Sequence, residues 1–229
     1  AGSQAIRYVN VGAMYLADGS SQFIDLLVTN RTRYTPFDAS QNVLNGLFAN
    51  INLACNQAVL LRVSTVLSCA RAPSCSLCTS DACFQSGCAC FGTTVYAASE
   101  CSGMQREQAR SSYDCAQLNT GTVLPSGAMV TMTVFDLDTG PGGEYAETFS
   151  APSFAYYRSP LRSASGNAVV STVSVDRSTN TFAATARGDS SDNPSDPHSL
   201  SDAQAAKGVQ LFFRAQFGYV EGTFSVSSA

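Results

Sequence analysis

Ala128-Met-Val-Thr-Met-Thr-Val-Phe-Asp-Leu137 decides the fold class. It is rich in β-formers and carries the period-two signature of a strand with one face buried. It is the strongest strand signal in the chain. Upstream, Ala5 to Val11 alternates, and Phe23 to Thr29 follows the turn signal Asp18-Gly19-Ser20. Leu47 to Leu53 alternates with Leu47, Ala49, Ile51 and Leu53 on one face, and Val59 to Leu67 follows. Downstream come Glu144 to Phe149, Ala168 to Val175, Thr181 to Ala186, Val209 to Phe217 and Tyr219 to Val226. Thr93 to Ala97 is one further short candidate. Gly, Pro, Asn and Asp punctuate the gaps where turns are needed. The expected fold is all-β: an antiparallel β-sandwich, one domain over 1–229.

Helix is scarce. Ser201-Asp-Ala-Gln-Ala-Ala-Lys207 has a capping Ser, with Gly208 as its stop. Met104 to Arg110 is the second short candidate.

All nine cysteines fall in one stretch: Cys55, Cys69, Cys75, Cys78, Cys83, Cys88, Cys90, Cys101 and Cys115. Dense cysteine interspersed with Ser, Gly and Pro reads as a disulfide-rich loop insertion, at about 69–115, between strands of the domain. Disulfides persist in oxidising compartments, so the expected location is secreted, extracellular. Nine is odd, so one thiol is free or pairs outside the chain. Zinc fits less well. Cys75-Ser-Leu-Cys78 is a CxxC, but Cys88-Ala-Cys90 is not a second such knuckle, and the only His is His198.

Composition narrows the function. Charged residues are 13% of the chain, about half the usual share, so polarity comes from Ser, Thr, Asn and Gln. The formal charge is −4 and no basic stripe appears, which argues against nucleic acid. No apolar run is long enough for a membrane-spanning helix, since Arg62 breaks the best candidate. Catalysis is not expected. A lone His198 would have to serve any nucleophilic arrangement, there is no G-x-S-x-G elbow, and there is no Trp to line a sugar cleft.

Two acidic loops stand out. Phe135-Asp136-Leu-Asp138-Thr-Gly140-Pro-Gly-Gly143-Glu144-Tyr-Ala-Glu147 follows the strongest strand, and alternation puts Asp136 and Asp138 on one side. Carboxylates on a Gly-rich loop suit calcium, so Asp136, Asp138, Glu144 and Glu147 form the candidate metal set, although the spacing is not that of an EF-hand. The alternative is a polar strand end. The second loop, Gly188-Asp189-Ser-Ser-Asp192-Asn193-Pro194-Ser-Asp196-Pro197-His198, reads as turn chemistry. A cation shared by the two loops requires that they meet. Asn30-Arg31-Thr32 is the permitted N-glycosylation sequon, because Pro194 excludes Asn193.

The N-terminal strand has two readings. It pairs within its own sheet, or it adds to a neighbour's sheet edge, with Ile6, Tyr8 and Val11 filling pockets and Arg7 and Val9 turned outward or against a third subunit. Head-to-tail repetition of the second kind gives an open filament.

Asp25-Leu-Leu-Val-Thr-Asn30 with Tyr34-Thr-Pro36, the cysteine block, Val134-Phe-Asp-Leu-Asp138 and Asp192-Asn-Pro194 together loosely resemble secreted β-sandwich modules of algal and protist matrix, surface and fibril proteins. The resemblance implies an extracellular structural or adhesive subunit that assembles with itself, other matrix proteins or glycans. A calcium-dependent or carbohydrate-binding adhesion module is the alternative.

Overall fold

A computed structural model describes residues 5–15, 19, 21–67, 123–189, 192–214 and 218–228. It is mostly β, with antiparallel sheets, one short α-helix and a single 3-10 turn at Ala39–Gln41 among the described residues. The strands are β1 (Ala5–Tyr15), β2 (Ser21–Asn30), β3 (Leu44–Asn45), β4 (Phe48–Ala49), β5 (Gln57–Leu67), β6 (Met129–Val134), β7 (Tyr145–Ser150), β8 (Tyr156–Arg158), β9 (Val173–Asp176), β10 (Thr181–Ala184), β11 (Val209–Arg214) and β12 (Tyr219–Ser228). The helix α1 spans Asp202–Ala206. A seven-stranded sheet runs β1-β2-β5-β12-β7-β10-β9, and a three-stranded sheet runs β6-β11-β8.

Register explains the core. In the large sheet Val28 pairs with Val63, Val63 with Val220, Phe224 with Phe149, and Phe149 with Phe182. Paired residues share a face, so this row lies on one side of the sheet. In the small sheet Leu211 pairs with both Met132 and Tyr157, and Phe213 pairs with Val130. Val63, Phe149, Phe182 and Val220 join Val130, Leu211 and Phe213 in one hydrophobic cluster, so both sheets feed it. Gly222 is the close approach that permits this. A Cβ there would stand 2.1 Å from Cζ of Phe149.

The other face of β2 and β5 is also buried, with Asp25, Leu27, Ser64 and Val66 all under 5% exposed. Asp25 is fully buried and is paired with the Arg7 guanidinium of β1 through Nε, at 2.6 Å, and Nη2. This corrects the outward placement of Arg7, whose side chain is only 10% exposed. A buried carboxylate cannot keep its charge without such a partner. Ile6 and Tyr8 pair with Val28 and Leu26, so they lie on the face of their own sheet that Leu26 and Val28 turn to the core. The register shifts between Tyr8 and Gly12, and Val9 and Val11 fall inside that irregularity.

Other differences have local causes. The expected strand Leu47 to Leu53 is instead the small β3–β4 hairpin. Gly46, at φ +59°, begins its two-residue turn, and Leu47 is left 59% exposed at the tip. Of the expected row, Leu53 is buried in a core cluster with Tyr34, Val59, Leu61 and Val226, and Ile51 packs against it. Strand β8 has three residues between prolines, too short to show a period. Ser201 and Gln204 form a reciprocal capping box on α1, as the N-terminal Ser suggested. Gly208 is needed for packing, since a Cβ there would meet Leu161 Cδ1 at 2.3 Å. The cysteine segment, Thr93 to Ala97 and Met104 to Arg110 lie outside the described residues.

Removing one partner of the Arg7–Asp25 pair strands a buried charge. Arg7→Ala is expected to lower the unfolding free energy by about 3–5 kcal/mol, whereas Arg7→Met with Asp25→Leu is near neutral. Urea denaturation checks both. A loss below about 1 kcal/mol in Arg7→Ala would mean that the pair is solvent-screened.

Candidate functional site

The site begins where β6 ends. Asp136 takes a left-handed backbone, φ +60°, which turns the chain out of the strand. Leu137 is fully buried, and its N–H donates to Lys207 O at 3.0 Å. Residues 138 and 139 are then held from two sides. Glu147 N donates to Asp138 O at 3.1 Å, Thr139 N to Ala186 O at 2.9 Å, and Gly188 N to Thr139 O at 3.2 Å. A Cβ at Gly188 would stand 1.7 Å from Asp138 Oδ2, so a glycine lets the second acidic loop cross over Asp138.

The two acidic loops therefore meet. Asp136, Asp138 and Asp192 each offer a carboxylate oxygen within 4.8 Å of the others. Oxygens at about 2.4 Å from a common calcium ion can be no farther than about 4.8 Å apart, so this triangle is compact enough to hold one hard cation. In the orientation that satisfies its neighbours, the Asn193 amide donates to Asp136 Oδ2 at 2.9 Å and to Asp189 O at 3.2 Å. Asp136 Oδ1 is buried with no hydrogen-bond partner among the described residues.

Lys207, the only Lys in the chain, is buried beside the triangle. Its ammonium pairs with Asp192 Oδ2 and donates to Arg187 O at 2.9 Å. Glu147 enters from β7, where its Oε2 accepts from Asp138 N at 3.4 Å. The Tyr145 phenol donates to Asp138 Oδ1 at 3.5 Å.

Burial and crowding set the protonation. Burial, then the charges of Asp138 and Asp136, push the Glu147 carboxyl up to about 8. Burial, then Asp138 and Asp192, push Asp136 up to about 6, with Lys207 opposing. Asp138 is also raised, by burial first. Burial and the adjacent carboxylates push the Tyr145 phenol up to about 12. Such a cluster holds protons or takes up a cation.

Of the four expected metal residues, Asp136 and Asp138 lie in the triangle and Glu147 borders it. Glu144 is exposed and turned into its own loop. Its carboxylate accepts from Gly142 N at 3.0 Å, and backbone hydrogen bonds hold it below its usual range. Asp192 was read as a turn former, and its place in the triangle depends on pairing distant in sequence. Gly188, just ahead of that acidic loop, is the one local signal. His198 is exposed, and its N–H donates to Asp196.

The sequon residue Asn30 ends β2 half-buried, and its Nδ2 donates to Thr32 O at 3.1 Å. Cys55 is exposed and free in the turn before β5, and the other eight cysteines lie outside the described residues. Comparison with protein families, characterised proteins and solved structures gives no match.

The raised carboxyls fix the sign of a pH effect. Unfolded Glu147 loses its proton near 4.5 and Asp136 near 3.8, whereas folded they hold protons to about 8 and about 6. The folded state binds more protons, so without divalent cations stability is expected to fall as pH rises from 5 to 8. The exposed acids Asp38, Glu144, Asp176 and Asp202 are shifted downward and titrate below this window. Urea midpoints at pH 5, 6, 7 and 8 should fall, and fall less in Glu147→Gln. A flat or rising profile would contradict the assignment.

Proposed function

We propose that this chain is a secreted structural and adhesive subunit, a disulfide-stapled β-sandwich whose copies join through sheet edges into a filament. The sandwich reading rests on the cluster fed by both sheets. The extracellular reading rests on nine clustered cysteines and a charge-poor composition. One observation carries the assembly reading. The edge of the seven-stranded sheet is an 11-residue strand, β1, and its single charged side chain, Arg7, is turned inward onto Asp25. Long edge strands are ordinarily protected by outward charges, because an edge offers main-chain groups to any second chain. Here Val11, Ala13 and Tyr15 are exposed instead, with Tyr15 at 82%. Among the described residues the strand pairs with β2 alone, which leaves its other side for strand addition.

Gatekeeper charges test this. Val11→Lys with Ala13→Lys is expected to leave the melting temperature within about 0.5 kcal/mol-equivalent of the parent, as for other surface changes, and to abolish self-association. Sedimentation velocity under oxidising conditions reads the outcome. A parent chain that stays monomeric at high concentration overturns the assembly reading, as does a lysine variant that assembles as well as the parent.

The second reading is calcium-dependent adhesion, carried by the Asp136–Asp138–Asp192 triangle and the buried unpartnered oxygen of Asp136. Calcium at a hundredfold excess over its dissociation constant stabilises a folded state by about 2.7 kcal/mol. Added calcium should raise the melting temperature more at pH 8 than at pH 5, since it competes with protons. Asp192→Asn should remove the response and Glu144→Gln should retain it. An unchanged melting temperature with calcium or chelator defeats this reading.

A further inference from the structure

The small sheet has an outer face that neither the core nor the acidic site uses. Register places Thr131 and Thr133 of β6, Gln210 and Phe212 of β11, and Tyr156 and Arg158 of β8 on it. Their neighbours Met132, Leu211, Phe213 and Tyr157 belong to the core cluster on the opposite side. Tyr156 stacks on Phe212 with ring centroids 4.2 Å apart and planes 18° from parallel. Strand β8 is the sheet edge, so Tyr156 is the outer ring of this stack and remains 53% exposed. A groove of about 580 Å³ opens along 154–159, and Arg177 also lines it. Arg177 lies over the Tyr157 ring, 5.1 Å from its centroid, and donates to the Tyr157 hydroxyl at 3.1 Å.

The charge on this face runs against the rest of the chain. Acids outnumber bases seventeen to thirteen overall, yet Arg158 of this face and Arg177, which sits over Tyr157 of the opposite face, line the groove, and no carboxylate lines it among the described residues. Arg214 stands on the same face as Arg158, four residues farther along β11, about 14 Å away at strand spacing. The nearest acid in sequence, Asp176, is occupied by Ser178 and Thr179 in its own turn. The face therefore presents an exposed aromatic ring, hydroxyl and amide groups, and guanidinium forks. Aromatic rings with a polar rim suit amphipathic ligands, and the guanidinium fork matches carboxylate and sulfate oxygens.

We propose that the groove along β8 and the adjoining outer face bind an anionic polysaccharide, with a sugar ring against Tyr156 and acid groups on Arg158 and Arg214 of the face and on Arg177 of the groove. Nucleic acid is the poorer match, because its one charge per 1.7 Å demands a dense basic track that a chain of net charge −4 does not supply. The proposal goes beyond edge-to-edge assembly and needs neither the filament nor calcium.

Affinity electrophoresis of the full chain, at a concentration where sedimentation shows monomer, tests it with four probes: polygalacturonate, dextran sulfate, neutral dextran and a dT oligomer. Retardation by polygalacturonate or dextran sulfate is expected, and the stronger of the two identifies the acid group. Tyr156→Ala and Arg158→Gln should each raise the dissociation constant at least tenfold. Arg214→Gln is a second, exposed variant expected to weaken binding without altering the urea midpoint. The proposal is overturned if neither acidic polymer retards the chain, or if neutral dextran or the dT oligomer binds as well. It is overturned equally if folded variants bind like the parent. Loss of self-association rather than glycan retention in Tyr156→Ala would assign the face to a second copy, which also overturns it.

Discussion

Alternation along β7 is the constraint on which the rest depends. Phe149 must turn inward, because its ring fills the middle of the core against Gly222 and pairs with Phe182 and Phe224. A strand has period two, so Tyr145 and Glu147 face the same way. The requirement that buries Phe149 therefore carries a carboxylate and a phenol to the rim of the core. Glu147 remains there because a backbone N–H and raised proton affinity offset its desolvation.

The acidic site is the electrostatic consequence. Asp136, Asp138 and Asp192 converge on this rim, with the one ammonium of Lys207 to oppose them. Lys207 does two structural tasks at once. Its carbonyl receives the buried Leu137 N–H, and its ammonium bridges Asp192 and the Arg187 carbonyl. The site is thus tied to the backbone of three segments. A change of proton or cation occupancy there acts on the junction between β6, β7 and the loop before α1.

The two sheets differ in what they offer outside. The large sheet is buried on both faces near β2 and β5, where Arg7 and Asp25 neutralise each other, and β1 and β9 are its two edges among the described residues. The small sheet is buried on one face only. Its outer face keeps polar, aromatic and cationic side chains in water. Edge and face therefore offer different chemistry, main-chain groups at one and side chains at the other.

The β class was legible in the residues because alternation is a local property, and most strands lie where Phe23 to Thr29, Val59 to Leu67 and Tyr219 to Val226 indicated. The capping box at Ser201 was legible for the same reason, since it needs only four residues. Asp136 and Asp138 stood out as a pair two residues apart. Asp192 did not, because its approach to them depends on the bridge between Thr139 and Arg187 and on the absence of a side chain at Gly188. Arg7 looked like an outward charge, and only the pairing of β1 with β2 placed it on a buried carboxylate. Sequence by itself determined most of the longer strands and which loops are acidic, through forces that act between neighbours. Tertiary structure alone decided which strand edges and which carboxylates meet, because register and loop crossing bring together groups tens of residues apart.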